Sequence, residues 1–149
     1  MTTERPLVRD AAESDKTVLY QMLCELEGQV INYEDFCRVY QRNRSSDYIF
    51  YFVAEVKSVV VGMISCHIQG LLHHAGLVAE IQEMYVLPPY RSHGIGKMLM
   101  QHVIEAVETL GVSQIEVTSR AHRIDAHRFY EREGFEKSHV KLVRYFTST

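Results

Sequence analysis

The chain has few features that would tie it to a membrane, a disulfide framework or a nucleic acid. Its three cysteines, Cys24, Cys37 and Cys66, are far apart and form no Cys-x-x-Cys pair. An odd count without that spacing points away from paired disulfides and thiolate zinc sites, leaving reduced thiols in a cytoplasmic protein. No stretch approaches the roughly 20 apolar residues a bilayer span needs, and the opening MTTERPLVRDAAESDK lacks the apolar core of a signal segment. No membrane association and no targeting are therefore expected. The net charge is −3, with acidic and basic residues interspersed, so no nucleic-acid partner is expected either. Repeats, low-complexity tracts and linkers are absent.

The 149 residues are 46% hydrophobic, which is enough for one core. A single domain over residues 1–149 follows. PLVRDA is a short strand candidate. In AAESDKTVLYQMLCELEG, Val18, Leu19, Met22, Leu23 and Leu26 recur at helical spacing, with Gly28 as the stop. NYEDFCRVYQRNR repeats the pattern, with Asn32 as N-cap and Phe36, Val39 and Tyr40 as its apolar stripe. From Tyr48 the residues become β-branched and aromatic: YIFYFVAEV and VVVGMISCHIQG around Lys57-Ser58 read as a hairpin, and GLVAEIQEMYVLP as a long strand ended by Pro88-Pro89. A helix from Gly94 to Leu110, a strand QIEVTS, a helix RIDAHRFYEREG and a last strand HVKLVRYF complete the series. The order β-α-α-β-β-β-α-β-α-β is a mixed α/β (α+β) layer structure, not an alternating βαβ ladder.

The turn RSHGIGK, Arg91 to Lys97, joins a strand directly to a helix. Glycine lets a backbone approach an anion closely, and the first N–H groups of a helix have no intrahelical acceptor, so such a turn suits phosphate. Arg91 adds a charge-assisted donor. The spacing is too short for a Walker A loop, and Met98 follows Lys97 where Ser or Thr is required. A dinucleotide fingerprint needs a third glycine, and Leu99 stands in its place, although Glu116 lies where a ribose-binding acid would. A purely structural tight turn is the remaining alternative.

Arg91-x-x-Gly94-x-Gly96, after a strand ending in Val86 and a proline loop, resembles the acetyl-coenzyme A site of the GCN5-related N-acetyltransferase (GNAT) family. The stretch AHRFYEREGF, Ala126 to Phe135, is similar to that family's A-x-x-x-Y-x-x-x-G-F helix and turn, and the element order matches across nearly the whole chain. Within the family, HIQGLLHHAGLVAEIQEMYVLP and RIDAHRFYEREGFEKSH are most similar to bacterial enzymes that acetylate the amine of small aminoalkylphosphonates. One position departs: Arg123 stands where the family often has asparagine, which suits an anionic acceptor.

The resemblance implies a set of roles. Arg91, Ser92, His93, Gly94, Ile95, Gly96 and Lys97 hold the coenzyme A pyrophosphate, and Met84, Tyr85 and Val86 offer backbone groups to the pantetheine arm and the acetyl oxygen. An ammonium has no lone pair, so a base must deprotonate the acceptor amine. Glu80 is first by position and Glu83 the fallback, three residues apart on a strand and nominally on opposite faces. Tyr130 returns a proton to the leaving thiolate. At about 100° per residue, Arg123 and His127 share a helical stripe with Tyr130 and are candidates to hold a phosphonate. His73 and His74, with His67, are further acceptor-site candidates or part of a divalent-metal site, although adjacent strand residues do not readily share one ion. The expected partner is a small-molecule amine, and a homodimer is allowed. The rival acceptors are polyamines, arylalkylamines, aminoglycosides and protein N-termini; outside the class stand a non-catalytic coenzyme A sensor and an NAD(P)-binding protein.

Overall fold

The computed structural model describes residues 5–147, so the first four and last two residues of the expected 1–149 domain lie outside it. The chain packs as two compact units, one running to Val117 and one starting at Thr118.

The first unit holds β1 (Leu7–Asp10), α1 (Lys16–Glu27), α2 (Tyr33–Arg44), β2 (Ile49–Val56), β3 (Val59–Leu71), β4 (Gly76–Val86), α3 (Ile95–Glu108) and β5 (Ile115–Val117). Its sheet runs β1-β2-β3-β4-β5, antiparallel until the parallel β4–β5 pair. The local signals act as expected. Gly28 takes a left-handed φ of 68° and closes α1, and the Asn32 side chain accepts the Asp35 N–H at 2.9 Å to cap α2. Lys57 and Ser58, both at positive φ, make the tight β2–β3 turn.

Alternation along β3 assigns the two sheet faces. Met63 packs with Leu19, Met22, Tyr40, Val53 and Tyr85 beneath α1 and α2. Its neighbour Gly62 lies under α3 on the other face: a Cβ there would meet Leu99 at 3.3 Å and Ile95 at 3.4 Å, so only glycine admits the helix this closely. The sheet is thus covered on both sides, by α1 and α2 on one and by α3 on the other.

An ion-pair cluster ties β1 to the start of α1. The Arg9 guanidinium donates to both carboxylate oxygens of Asp15, at 2.7 and 3.0 Å, and to Glu55 at 3.1 Å; the Ala12 N–H also donates to Asp15. Asp15 is only 5% exposed, and the Arg9 contact holds its carboxyl below the usual carboxylate range against the opposing effect of burial.

The second unit contains α4 (Ile124–Arg132) and a left-handed Gly134 at φ 95°. The strand expected over HVKLVRYF is not formed; among the described residues, 139–146 pair with no strand. Strand preference describes how a side chain fits a pleated, half-buried surface, and these apolar residues do not alternate: Leu142-Val143 and Tyr145-Phe146 are adjacent. Among the described residues, no helix is long and apolar enough to cross a membrane.

Asp15→Asn tests the cluster. A folded pKa held below the unfolded value of about 4 gives stability that is present above pH 4 and lost as pH falls through the folded pKa. In urea unfolding at pH 7 the variant should be less stable by about 2 kcal/mol, and its gap from the parent should shrink below pH 4. A gap that stays constant from pH 7 to pH 3 would show that the pairing is not what Asp15 contributes.

Candidate active site

The registers of β3 and β4 change at one point. Ser65 pairs with Glu83 and Cys66 with Ile81, leaving Gln82 as an extra residue in β4, a β-bulge. Two consequences follow from the pairing alone.

The first concerns the carboxylates. Glu80 pairs with His67 and Glu83 with Ser65. His67 and Ser65 are two apart on β3 and share a face, so Glu80 and Glu83 share that face as well. This corrects the expectation from spacing, which placed them on opposite faces; the inserted residue shifts the alternation by one. The shared face is the one under α1 and α2, since it also carries Met63.

The second concerns backbone direction. Below the bulge, the odd-numbered residues of β4 bond to the β5 side: Ala79 N–H donates to Gln114 at 3.1 Å, and Ser113 N–H to the Leu77 carbonyl at 3.0 Å. Above it, Leu87 N–H donates to Val61 on the β3 side at 2.8 Å. Met84 and Val86 therefore turn their N–H and C=O groups toward the β5 side. The last β5 pair, however, is Ile81 with Val117. β4 runs on to Val86 beyond it, so a slot edged by backbone groups opens between the two strands.

A single side chain holds the bulge. The Ser65 hydroxyl, fully buried, accepts the Glu83 N–H at 3.0 Å and donates to the Glu83 carboxylate. Sequence reasoning missed Ser65; the available signal was a lone hydroxyl inside the apolar run VVVGMISCHI.

Glu83 also lines a cavity of about 290 Å3 between α1, α2 and the sheet, together with Leu23, Phe36, Tyr51 and Met63 among others. Glu80 is absent from that lining. Burial pushes the Tyr51 hydroxyl pKa up, a bond from Asn43 pulls it down, and the nearby Glu83 charge raises it again.

The glycine turn lies at the other end of the slot. After Val86 a 3-10 turn spans Pro88–Tyr90, and Ser92 and Gly94 both adopt left-handed φ, 63° and 81°. Helix α3 starts at Ile95, and its first bond runs from Met98 N–H to the Gly94 carbonyl at 3.0 Å. The N–H groups of Ile95, Gly96 and Lys97 precede that bond and have no intrahelical acceptor, the arrangement an anion requires. Arg91 folds back: its Nε donates to the Val86 carbonyl at 2.8 Å and its guanidinium lies 5.2 Å from the centre of the Tyr85 ring. The His93 Nδ1 donates to the Arg91 carbonyl at 2.7 Å. Arg91, Met84, Tyr85 and Val86 are thus brought together, and a pyrophosphate with an extended arm fits this cradle and slot.

His73 and His74 sit in a 3-10 turn between β3 and β4, rings 4.3 Å apart, while His67 lies on β3 opposite Glu80. Among the described residues no group of three His, Cys, Asp or Glu could hold a metal ion.

In the second unit, Tyr130 is 8% exposed between the rings of Phe129 and Phe135. Burial pushes its hydroxyl pKa up, and the Arg123 charge pulls it part of the way back, so the phenol is protonated at neutral pH. His127 is half-buried, its Nε2 donating to the Arg120 carbonyl at 2.9 Å.

Comparison with known proteins gives one family: the Acetyltransferase (GNAT) family profile matches residues 9–135. An aminoalkylphosphonate N-acetyltransferase of Salmonella typhimurium is 37% identical over 137 residues, 92% of this chain and 89% of that protein. A solved structure described as a transcriptional regulator from Bacillus halodurans superposes with a TM-score of 0.88 at 26% identity, covering 95% of this chain and 100% of that one. An aminoglycoside N-acetyltransferase in complex with coenzyme A superposes at 0.86 and 16% identity, covering 98% of each chain, which shows a shared fold.

Replacing Ser65 with alanine should strand the buried Glu83 N–H and release its carboxylate. We expect a loss of about 2 kcal/mol in urea unfolding; an unchanged midpoint would mean that the bulge holds without the hydroxyl.

Proposed function

The chain belongs to the GNAT family and is an acetyl-coenzyme A-dependent N-acetyltransferase acting on amines; on that premise we propose that its acceptor is an aminoalkylphosphonate and that Glu83 and Tyr130 carry the two proton transfers. The acceptor assignment is supported by the Salmonella relative, which is similar along nearly the whole of both chains. The observation that supports the role of Glu83 is the bulge at Gln82; that of Tyr130 follows from the family resemblance of AHRFYEREGF.

In this reading the turn from Arg91 to Lys97 binds the pyrophosphate, and the pantetheine arm runs along the backbone groups of Met84 and Val86 in the slot beside β4. The Val86 N–H faces the acetyl oxygen, where a fixed donor stabilises the negative charge of the tetrahedral intermediate. Glu83, lining the cavity with its carboxylate fixed by Ser65, takes the proton of the acceptor ammonium. Glu80, which the family resemblance puts first, shares the face but not the cavity, and becomes the second candidate. The freed amine attacks the thioester carbon, the intermediate collapses and expels the coenzyme A thiolate, the thiolate takes the Tyr130 proton, and the extra proton still on the new amide nitrogen passes to the tyrosinate, restoring the phenol. A phenol that burial keeps protonated is matched to that step. Arg123 is proposed to hold the phosphonate and His127 to assist it. No step is routed through a metal. A cytoplasmic location is part of the proposal, supported by three unpaired cysteines.

A steady-state assay of thiol release against a panel of amines tests the proposal. Turnover with aminophosphonates is expected; turnover only with polyamines, aminoglycosides or peptides would remove the acceptor assignment, and coenzyme A binding without any turnover would make the protein a sensor. Glu83→Gln and Tyr130→Phe should each lower kcat by about a hundredfold or more while leaving coenzyme A affinity nearly unchanged. Should Glu80→Gln instead be the inactive variant, the base is Glu80.

A further inference from the structure

The cavity above Glu83 is larger and more apolar than a minimal aminophosphonate requires. Its volume of about 290 Å3 is close to the lower end of small-molecule pockets. Leu19, Leu23, Ile31, Phe36, Val39 and Met63 provide most of its wall. Two tyrosines complete it, their rings 5.5 Å apart, and both hydroxyls are engaged elsewhere: Tyr40 donates to the Ala12 carbonyl at 2.7 Å, and Tyr51 accepts from Asn43 at 2.8 Å. They therefore present mainly ring surface to the cavity.

The charge of the lining has one sign. Glu27, Asp35 and Glu83 are its carboxylic acids, and among the described residues no lysine, arginine or histidine lines it. Asp35 is paired with Arg38 and Glu27 is not free either, so Glu83, on the sheet, is the carboxylate proposed to meet a ligand. An ammonium is complementary to that floor. A phosphonate is not, because an anion buried there would meet the Glu83 carboxylate.

We propose that the preferred acceptor carries an apolar group, aryl or branched alkyl, on or next to the carbon bearing the amine, and that this group fills the cavity while the ammonium faces Glu83 and any phosphonate stays outside. The proposal rests on the reading of the protein as an amine acetyltransferase with Glu83 as base. Its physical basis is the release of water from apolar wall that is solvated when the cavity is empty. The cavity-facing residues of α1 and α2 become specificity determinants.

The test compares kcat/KM for aminomethylphosphonate, 1-aminoethylphosphonate, 1-amino-2-phenylethylphosphonate and 2-phenylethylamine, in the parent and in Val39→Lys, with thermal unfolding of both proteins as a control. The expected order in the parent rises from the unsubstituted to the phenyl-bearing phosphonate by roughly thirtyfold or more. Val39→Lys, an exposed position on the cavity wall, should cut that ratio by about tenfold while the melting temperature stays close to the parent's. Aminomethylphosphonate turned over as well as the phenyl compound would overturn the inference and leave the acetyltransferase reading intact. Turnover of 2-phenylethylamine with none of the phosphonates would support the apolar group and overturn the phosphonate. If none of the four amines is acetylated, the inference falls together with the reading beneath it.

Discussion

Where Ser65 faces β4, two residues stand opposite one, and the geometry of the site derives from that mismatch. A strand alternates its side chains between two faces and its backbone groups between two edges with the same period of two, so one inserted residue reverses both beyond the insertion. The side-chain reversal puts Glu83 on the face of Glu80, over the cavity. The backbone reversal turns the amides of Met84 and Val86 outward just where β5 has ended. The Glu83 carboxylate and the outward-turned amides of Met84 and Val86 are thus placed by one defect. It is stabilised by a fully buried hydroxyl that satisfies the displaced N–H and orients the carboxylate in the same pair of bonds.

Around that defect, the elements divide the work. Helix α3, admitted close to β3 by Gly62, brings its unsatisfied first-turn N–H groups to the end of the slot, and Arg91 ties the turn to the Val86 carbonyl. Helices α1 and α2 have no part in that cradle; they roof the opposite face and leave apolar space over Glu83. Their attachment depends on Arg9 and Asp15 at the start of α1 and on the Tyr40 hydroxyl, whose burial pushes its pKa up to about 12 while it donates to the Ala12 carbonyl. One face of the sheet therefore carries α3 and the glycine turn, and the other carries the apolar cavity over Glu83.

Much of this was legible in the amino-acid order. The helix stops and caps at Gly28 and Asn32, the hairpin at Lys57-Ser58 and the glycine turn into α3 are local devices, each encoded within a few residues, and each formed as read. HVKLVRYF failed because its composition suits a strand but a strand also needs a neighbour, which lies outside any local window. The opposite-face assignment of Glu80 and Glu83 failed for a related reason: alternation was counted along β4 alone, whereas the bulge exists only in the pairing of β4 with β3.

The sequence by itself determined the helices and the strands of β1 to β5, the glycine turn and the residue kinds available for chemistry, because helix periodicity, glycine dihedrals and hydroxyl or carboxylate acidity belong to single residues and their near neighbours. Tertiary structure decided which glutamate meets the cavity, that Ser65 holds it, and what kind of surface surrounds it. Those depend on register between strands and on packing between helices and sheet, where residues tens of positions apart in the chain become adjacent and a shift of one residue changes the face.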